Sequence, residues 1–93
     1  MFKVNEYFNG KVISIAFQGK DTSATSGVIS PGEYEFSTNK KEIMTVTSGV
    51  LLVKLKNELD YKPYKPYESF TVPQGETFHV KSSEDVAYIC LYY

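Results

Sequence analysis

The chain contains no arginine, no tryptophan, one cysteine and one histidine. Each shortage removes a class of chemistry. Without arginine there is no guanidinium fork to grip phosphate, which must instead be held by lysine, hydroxyls or backbone N–H groups. The lone Cys90 excludes an intramolecular disulfide, and its place in the apolar run Ala87–Tyr93 marks a buried, inert thiol. A transition-metal site needs several His, Asp, Glu or Cys ligands converging, so no metal and no other cofactor is expected. Charge of one sign is also lacking. Ten lysines face eleven acidic residues for a net charge of −1, which gives no electrostatic reason to bind nucleic acid. No run approaches the ~18 apolar residues of a membrane helix. Met1-Phe2-Lys3-Val4-Asn5-Glu6 lacks the apolar stretch of a signal peptide. The expected compartment is the cytoplasm, with no membrane partner.

What is present is an ordinary globular composition, 42% hydrophobic and 15% aromatic. The 93 residues leave room for one domain, residues 1–93. A chain this small buries only roughly 60–65% of its unfolded surface, so it gains from oligomerising. Tyrosines crowd at Tyr61, Tyr64, Tyr67, Tyr92 and Tyr93. Aromatic surface of that kind favours an interface, and a homodimer is expected.

Period-two alternation dominates, and no long segment keeps a helical apolar stripe. Strands are expected over Lys11–Gln18, Ser26–Ser30, Glu33–Thr38, Glu42–Ser48, Val50–Lys56, Phe70–Val72, Thr77–Lys81 and Val86–Tyr93. The turn signals between them, among them Pro31-Gly32 and Pro73-Gln74-Gly75, indicate a β-sandwich or barrel. Helix is confined to a single turn near Asn5–Phe8. Gly19–Thr25 reads as a polar loop, a candidate flap at a barrel mouth. Tyr61-Lys62-Pro63-Tyr64-Lys65-Pro66-Tyr67 reads as an edge segment, because proline cannot donate to a central ladder.

Two segments sharpen this reading. Glu42, followed after six residues by Gly49, and the Pro73-Gln74-Gly75 turn leading into Thr77–Val80 resemble the punctuation of a cupin. That resemblance implies an all-β, single-domain, cupin-like jelly-roll barrel. Cupin metal ligands would be two histidines before the glutamate and a third at the position held here by Phe78. The first pair is missing. His79 follows Phe78 by one residue, and a shift of one on a strand turns a side chain to the opposite face.

Over nearly its full length the chain also resembles the pyrimidine/purine nucleoside phosphorylase family of small cupin-like bacterial proteins. The resemblance rests on Asn5-Glu6-Tyr7-Phe8 with Gly10-Lys11-Val12, on Gly32-Glu33-Tyr34 with Phe36-Ser37-Thr38, and on Met44-Thr45-Val46 with Ser48-Gly49. Phe70 with Val72-Pro73, Phe78-His79, and Tyr88 with Cys90 and Tyr92 complete it. What it implies is phosphorolysis, in which a nucleoside and inorganic phosphate give free base and pentose 1-phosphate. Nucleoside and phosphate would then be the partners. A non-catalytic small-molecule binding or sensing cupin is the alternative.

Such a reaction passes through an oxocarbenium-like sugar, which a carboxylate can stabilise. Glu42 is the candidate, pointing into the barrel by the cupin register; the alternative leaves it solvated beside the Asn39-Lys40-Lys41 turn. By strand parity Met44, Val46 and Ser48 share its face. His79 is the one side chain titrating near neutrality and a candidate proton donor to the leaving base, although its parity against Phe78 argues that it faces out. Ser37 and Thr38 offer hydroxyls to phosphate or ribose, or serve as plain strand surface. Tyr34, Phe36, Phe78 and Tyr88 can stack on a base of either ring size, or simply pack a core. Lys11, Lys54 and Lys56 are the lysines of interest for phosphate.

Overall fold

The computed structural model describes residues 2–93. The alternation of the sequence becomes ten strands among these residues, with no helix. They are β1 (Lys3–Tyr7), β2 (Val12–Gln18), β3 (Ser23–Ile29), β4 (Gly32–Ser37) and β5 (Glu42–Ser48), then β6 (Leu51–Lys54), β7 (Lys62–Tyr64), β8 (Ser69–Val72), β9 (Thr77–Ser82) and β10 (Val86–Tyr92). A six-stranded sheet runs in the order β1-β2-β3-β10-β5-β8, and a four-stranded sheet in the order β4-β9-β6-β7. Every pairing is antiparallel. The two sheets close on one core, the jelly-roll barrel that the turn signals imply.

Three segments differ from the sequence reading. Lys3–Tyr7 is a strand and not a helical turn, because its five residues pair with Val12–Ala16. Local sequence does not announce that partner. The polar loop ends earlier than expected, since β3 already begins at Ser23 and pairs with Gln18. The tyrosine–proline repeat does form an edge, with β7 the outermost strand of its sheet. Pro63 stands opposite Leu52 of β6, and the other side of β7 has no further strand whose ladder a proline would interrupt.

Inward positions are read off the buried residues. β10 contributes Val86, Tyr88 and Cys90, β5 Met44 and Val46, and β9 Phe78 and Val80. On β5, Ser48 is exposed rather than sharing the face of Glu42. The register slips between Ala87 and Tyr88, which face Ser48 and Val46, so Thr47 is the extra residue that breaks the parity. Aromatic contacts run within the four-stranded sheet and cross to Phe70 of the six-stranded one. Phe36 and Phe78 lie 5.8 Å apart, Phe78 and Phe70 6.1 Å, and Phe70 and Tyr64 4.9 Å.

Candidate active site

A cavity of about 400 Å³ lies between the sheets. Strand direction gives it a polar rim and an apolar floor. β3 starts at Ser23, β5 starts at Glu42, and Glu42 pairs with Tyr92 near the end of β10. Ala24 pairs with Leu91, so Ser23 reaches the same rim. β4 ends there at Ser37, and the turn to β5 carries Asn39 and Lys40 over the opening. Moving inward along these strands come Phe36, Met44 and Phe78, then Ile29 and Val80.

Glu42 faces into this cavity. Its carboxylate accepts a hydrogen bond from the Cys90 thiol at 3.5 Å. Burial raises the Glu42 pKa above the ordinary carboxylate value, and the bond from Cys90 only partly opposes it. Burial, with the nearby Glu42 charge, likewise pushes the Cys90 thiol up, so this sulfur stays protonated and donates. Across the pair, the Tyr92 hydroxyl meets Thr25 Oγ1 at 2.9 Å. Burial raises the Tyr92 pKa as well. Around the partly desolvated carboxylate the β3–β10 wall is therefore neutral hydroxyls and thiol.

Tyr88 continues the same wall, two residues before Cys90 on β10. It sits on β10 facing Gly27 of β3, and Gly27 in turn faces Ser14 of β2. A Cβ on Gly27 would lie 2.7 Å from both Cζ and the hydroxyl of Tyr88. The missing side chain is what lets the ring pass over Gly27 toward Ser14. Burial pushes the Tyr88 pKa up to about 12. Tyr7 closes this side, its ring edge-on to Phe36 at 6.3 Å.

The turn that carries Lys40 is tied down at both ends. Thr38 Oγ1 donates to the Pro73 carbonyl at 2.7 Å and accepts from Glu76 N–H at 3.1 Å. The backbone of Thr38 bonds to Glu76 and Gly75, each at 3.0 Å, and the Lys41 carbonyl accepts from Tyr93 N–H at 2.8 Å.

Of the residues singled out in the sequence, the cavity brings together Phe36, Ser37, Glu42, Met44, Phe78 and Tyr88. Six do not reach it. His79 lies on the outer face of β9, away from the cavity, where Nε2 meets Glu35 Oε1 at 3.0 Å, as its parity against Phe78 implies. Tyr34 is buried beneath Phe8, and its hydroxyl donates toward the carbonyls of Ser30 and Pro31. Thr38 is fully occupied by the β8–β9 loop and positions the rim instead of contacting it. Lys11, Lys54 and Lys56 are absent from the cavity; Lys54 extends over the Tyr61 ring. Sequence reasoning missed Ser14, Tyr92 and Lys40. Ser14 was legible as a polar residue alternating with Val12 on the face opposite Ile13, Ile15 and Phe17.

The barrel's usual metal does not fit here. Among the described residues no three His, Cys, Asp or Glu side chains converge. The rim offers one carboxylate beside a thiol held protonated, and Phe78 occupies the third ligand place.

Barrel and cavity define a cupin-like fold. The architecture matches an RmlC-like cupin from Shewanella frigidimarina at TM-score 0.76 and 16% identity, over 98% of this chain and 82% of that one. A protein from Vibrio parahaemolyticus, described as of unknown function, matches at TM-score 0.95 and 39% identity over 100% of this chain and 99% of that one. The chain belongs to the pyrimidine/purine nucleoside phosphorylase family, whose profile matches residues 2–92. A pyrimidine/purine nucleoside phosphorylase from Alcanivorax borkumensis is 52% identical over 99% of this chain and 98% of its own length. One from Pseudomonas entomophila is 51% identical over the same shares.

Proposed function

We propose that this protein is a pyrimidine and purine nucleoside phosphorylase, a pentosyltransferase acting without a metal. The observation that carries the reading is the cavity itself, aromatic within and bearing one desolvated carboxylate at its rim. Phe36 and Phe78 offer ring faces to the base. Stacking is tolerant of base identity, since every base has a π-face, which suits both ring sizes. The Tyr88 hydroxyl beside Ser14 supplies a polar contact for a base edge.

In the reaction the C1′–N bond breaks as an oxygen of hydrogen phosphate bonds to C1′. The electron pair of the broken bond goes to the base nitrogen, which takes the proton that the phosphate gives up. Positive charge develops on the sugar between the two. Ionised Glu42 stabilises it, and in a cavity with little water that interaction is stronger than in bulk solvent. Met44 and Phe78 hold water away from the same space.

A homodimer fits the same reading, and of the five crowded tyrosines only Tyr67 and Tyr93 are exposed. Tyr64 packs on Phe70, Tyr92 lines the cavity and Tyr61 lies beneath Lys81. The outer face of the six-stranded sheet is the stronger candidate. There Val4 is 59% exposed, Ile15 43%, Val28 51% and Ile89 38%, an apolar patch spread over four adjacent strands. The one cysteine, free and buried, suits a reducing compartment, the cytoplasm.

The test is to incubate purified protein with uridine, inosine and adenosine, with and without phosphate, and to follow free base. Base release that requires phosphate supports the reading. Saturable nucleoside binding with no release at any phosphate concentration would replace it with a binding cupin.

A further inference from the structure

Resting on the phosphorylase reading, we propose that Lys40, flanked by Asn39 and Ser37, is the phosphate site. It would hold inorganic phosphate before the reaction and the phosphate of pentose 1-phosphate after it.

Four observations converge on this turn. Lys40 is the one cationic side chain among the described residues that line the cavity, in a chain with no arginine. It is also uncommitted. Three lysines outside the cavity are engaged, Lys62 with Glu58 at 2.8 Å, and Lys81 and Lys54 over the Tyr61 ring at 4.2 and 5.7 Å, and none of the unpaired ones but Lys40 borders the cavity. Lys40 forms no ion pair among the described residues, not even with Glu42 two positions on, although both border one cavity. A rim that kept these charges for each other would have nothing left for an anion.

The backbone beneath Lys40 is held in place before any ligand arrives. Thr38 is nearly fully buried, and its hydroxyl and backbone are tied to the loop from Pro73 to Glu76. Lys41 is tied to Tyr93 on the other side. A flexible ammonium on a fixed turn loses little backbone entropy when it grips a ligand. Asn39 and Ser37 add neutral donors at the same rim.

The order of groups along the cavity matches the order the reaction demands. Attack at C1′ comes from the side opposite the leaving base, so base, sugar and phosphate must stand in a line. Aromatic rings occupy the interior, Glu42 stands at the start of β5, and Lys40 precedes it on the overhanging turn. A base against Phe36 and Phe78 puts the sugar near Glu42 and leaves the phosphate beneath Lys40. Its ammonium also offsets the repulsion that the Glu42 carboxylate exerts on an incoming anion.

The experiment compares the wild type with Lys40→Gln and, as a control away from the cavity, Lys54→Gln. Phosphorolysis of uridine is measured over a range of phosphate and of nucleoside concentrations, with melting temperature as a folding check. In parallel, broadening of the phosphorus resonance of inorganic phosphate reports binding without nucleoside. Expected for Lys40→Gln is a phosphate KM raised about tenfold or more. The uridine KM should move less than about twofold, melting should be unchanged, and phosphate broadening should be lost. Lys54→Gln should match the wild type. An unchanged phosphate KM in Lys40→Gln, with an active wild type, overturns the site and leaves the phosphorylase reading standing. A wild type without phosphorolysis, whose phosphate broadening disappears in Lys40→Gln, ends the phosphorylase reading and keeps the anion site. Broadening equal in both proteins, or absent from the wild type, overturns the site.

Discussion

The ring of Tyr88 occupies the space where Gly27 has no side chain, with its hydroxyl 2.7 Å from the position a Cβ would take. One residue type on β3 thus fixes the orientation of a cavity-wall aromatic on β10.

Gly27→Ala should displace Tyr88 from its place across β3 and break its approach to Ser14. Overpacking of this kind costs about 1–3 kcal/mol. The expected result is a lower melting temperature together with a raised nucleoside KM, because the ring must move toward the cavity. A variant with wild-type KM and melting temperature would show that the ring yields without consequence.

Glu42→Gln keeps the shape of the side chain and removes its charge. The rate should fall about 10²-fold or more, the scale of losing one well-placed electrostatic partner of the transition state. The loss should appear in kcat more than in KM. Because the folded pKa of Glu42 is raised, its contribution to stability is greatest below the unfolded value. That contribution is lost as pH rises through the folded value. At neutral pH the charge therefore opposes folding, and Glu42→Gln should melt no earlier than the wild type. The acid limb of the wild-type kcat profile should lie above the ordinary carboxylate range and be absent from the residual activity of the variant. Early unfolding would instead make Glu42 a structural partner.

Tyr88 makes alkaline stability testable. Its pKa rises from 10.0 to about 12 on folding, so the folded state holds its proton more tightly. Stability is then fully present below pH 10 and is lost as pH climbs toward 12, by at most roughly 3 kcal/mol from this group. Absorbance of tyrosinate followed with circular dichroism should show exposed tyrosines ionising first. Tyr88 and Tyr92 should ionise only with the loss of β-structure. A single titration complete before any unfolding would contradict the burial of both.

Self-association should depend on the outer face of the six-stranded sheet. Ile15 and Val28 stand on neighbouring strands of that face, so Ile15→Asp or Val28→Asp places a charge in the proposed contact. Light scattering at micromolar concentration should give a dimer mass for the wild type and a monomer for either variant. Tyr67→Ala, beside the β5–β8 end of that sheet and away from the patch on β1, β2, β3 and β10, should remain dimeric. A wild type of monomer mass would remove the interface.

The sequence by itself determined the barrel. Alternation from Val12 onward, with turns at Pro31-Gly32 and Pro73-Gln74-Gly75, is local information, and strands at those places follow from it. Parity on one strand was enough to set His79 opposite Phe78, because side chains alternate with a fixed period of two. The absence of arginine and the single histidine narrowed the chemistry before any geometry was known. Tertiary structure decided what depends on partners distant in the chain. Lys3–Tyr7 became a strand only because β2 was there to pair with it. Thr38 was withdrawn from the site by Pro73 and Glu76, and Lys40 was brought to it by the same anchoring. Glu42 was open to two readings until Cys90 and Tyr92 closed around it, since burial of a charge is a property of its neighbours and not of its own segment.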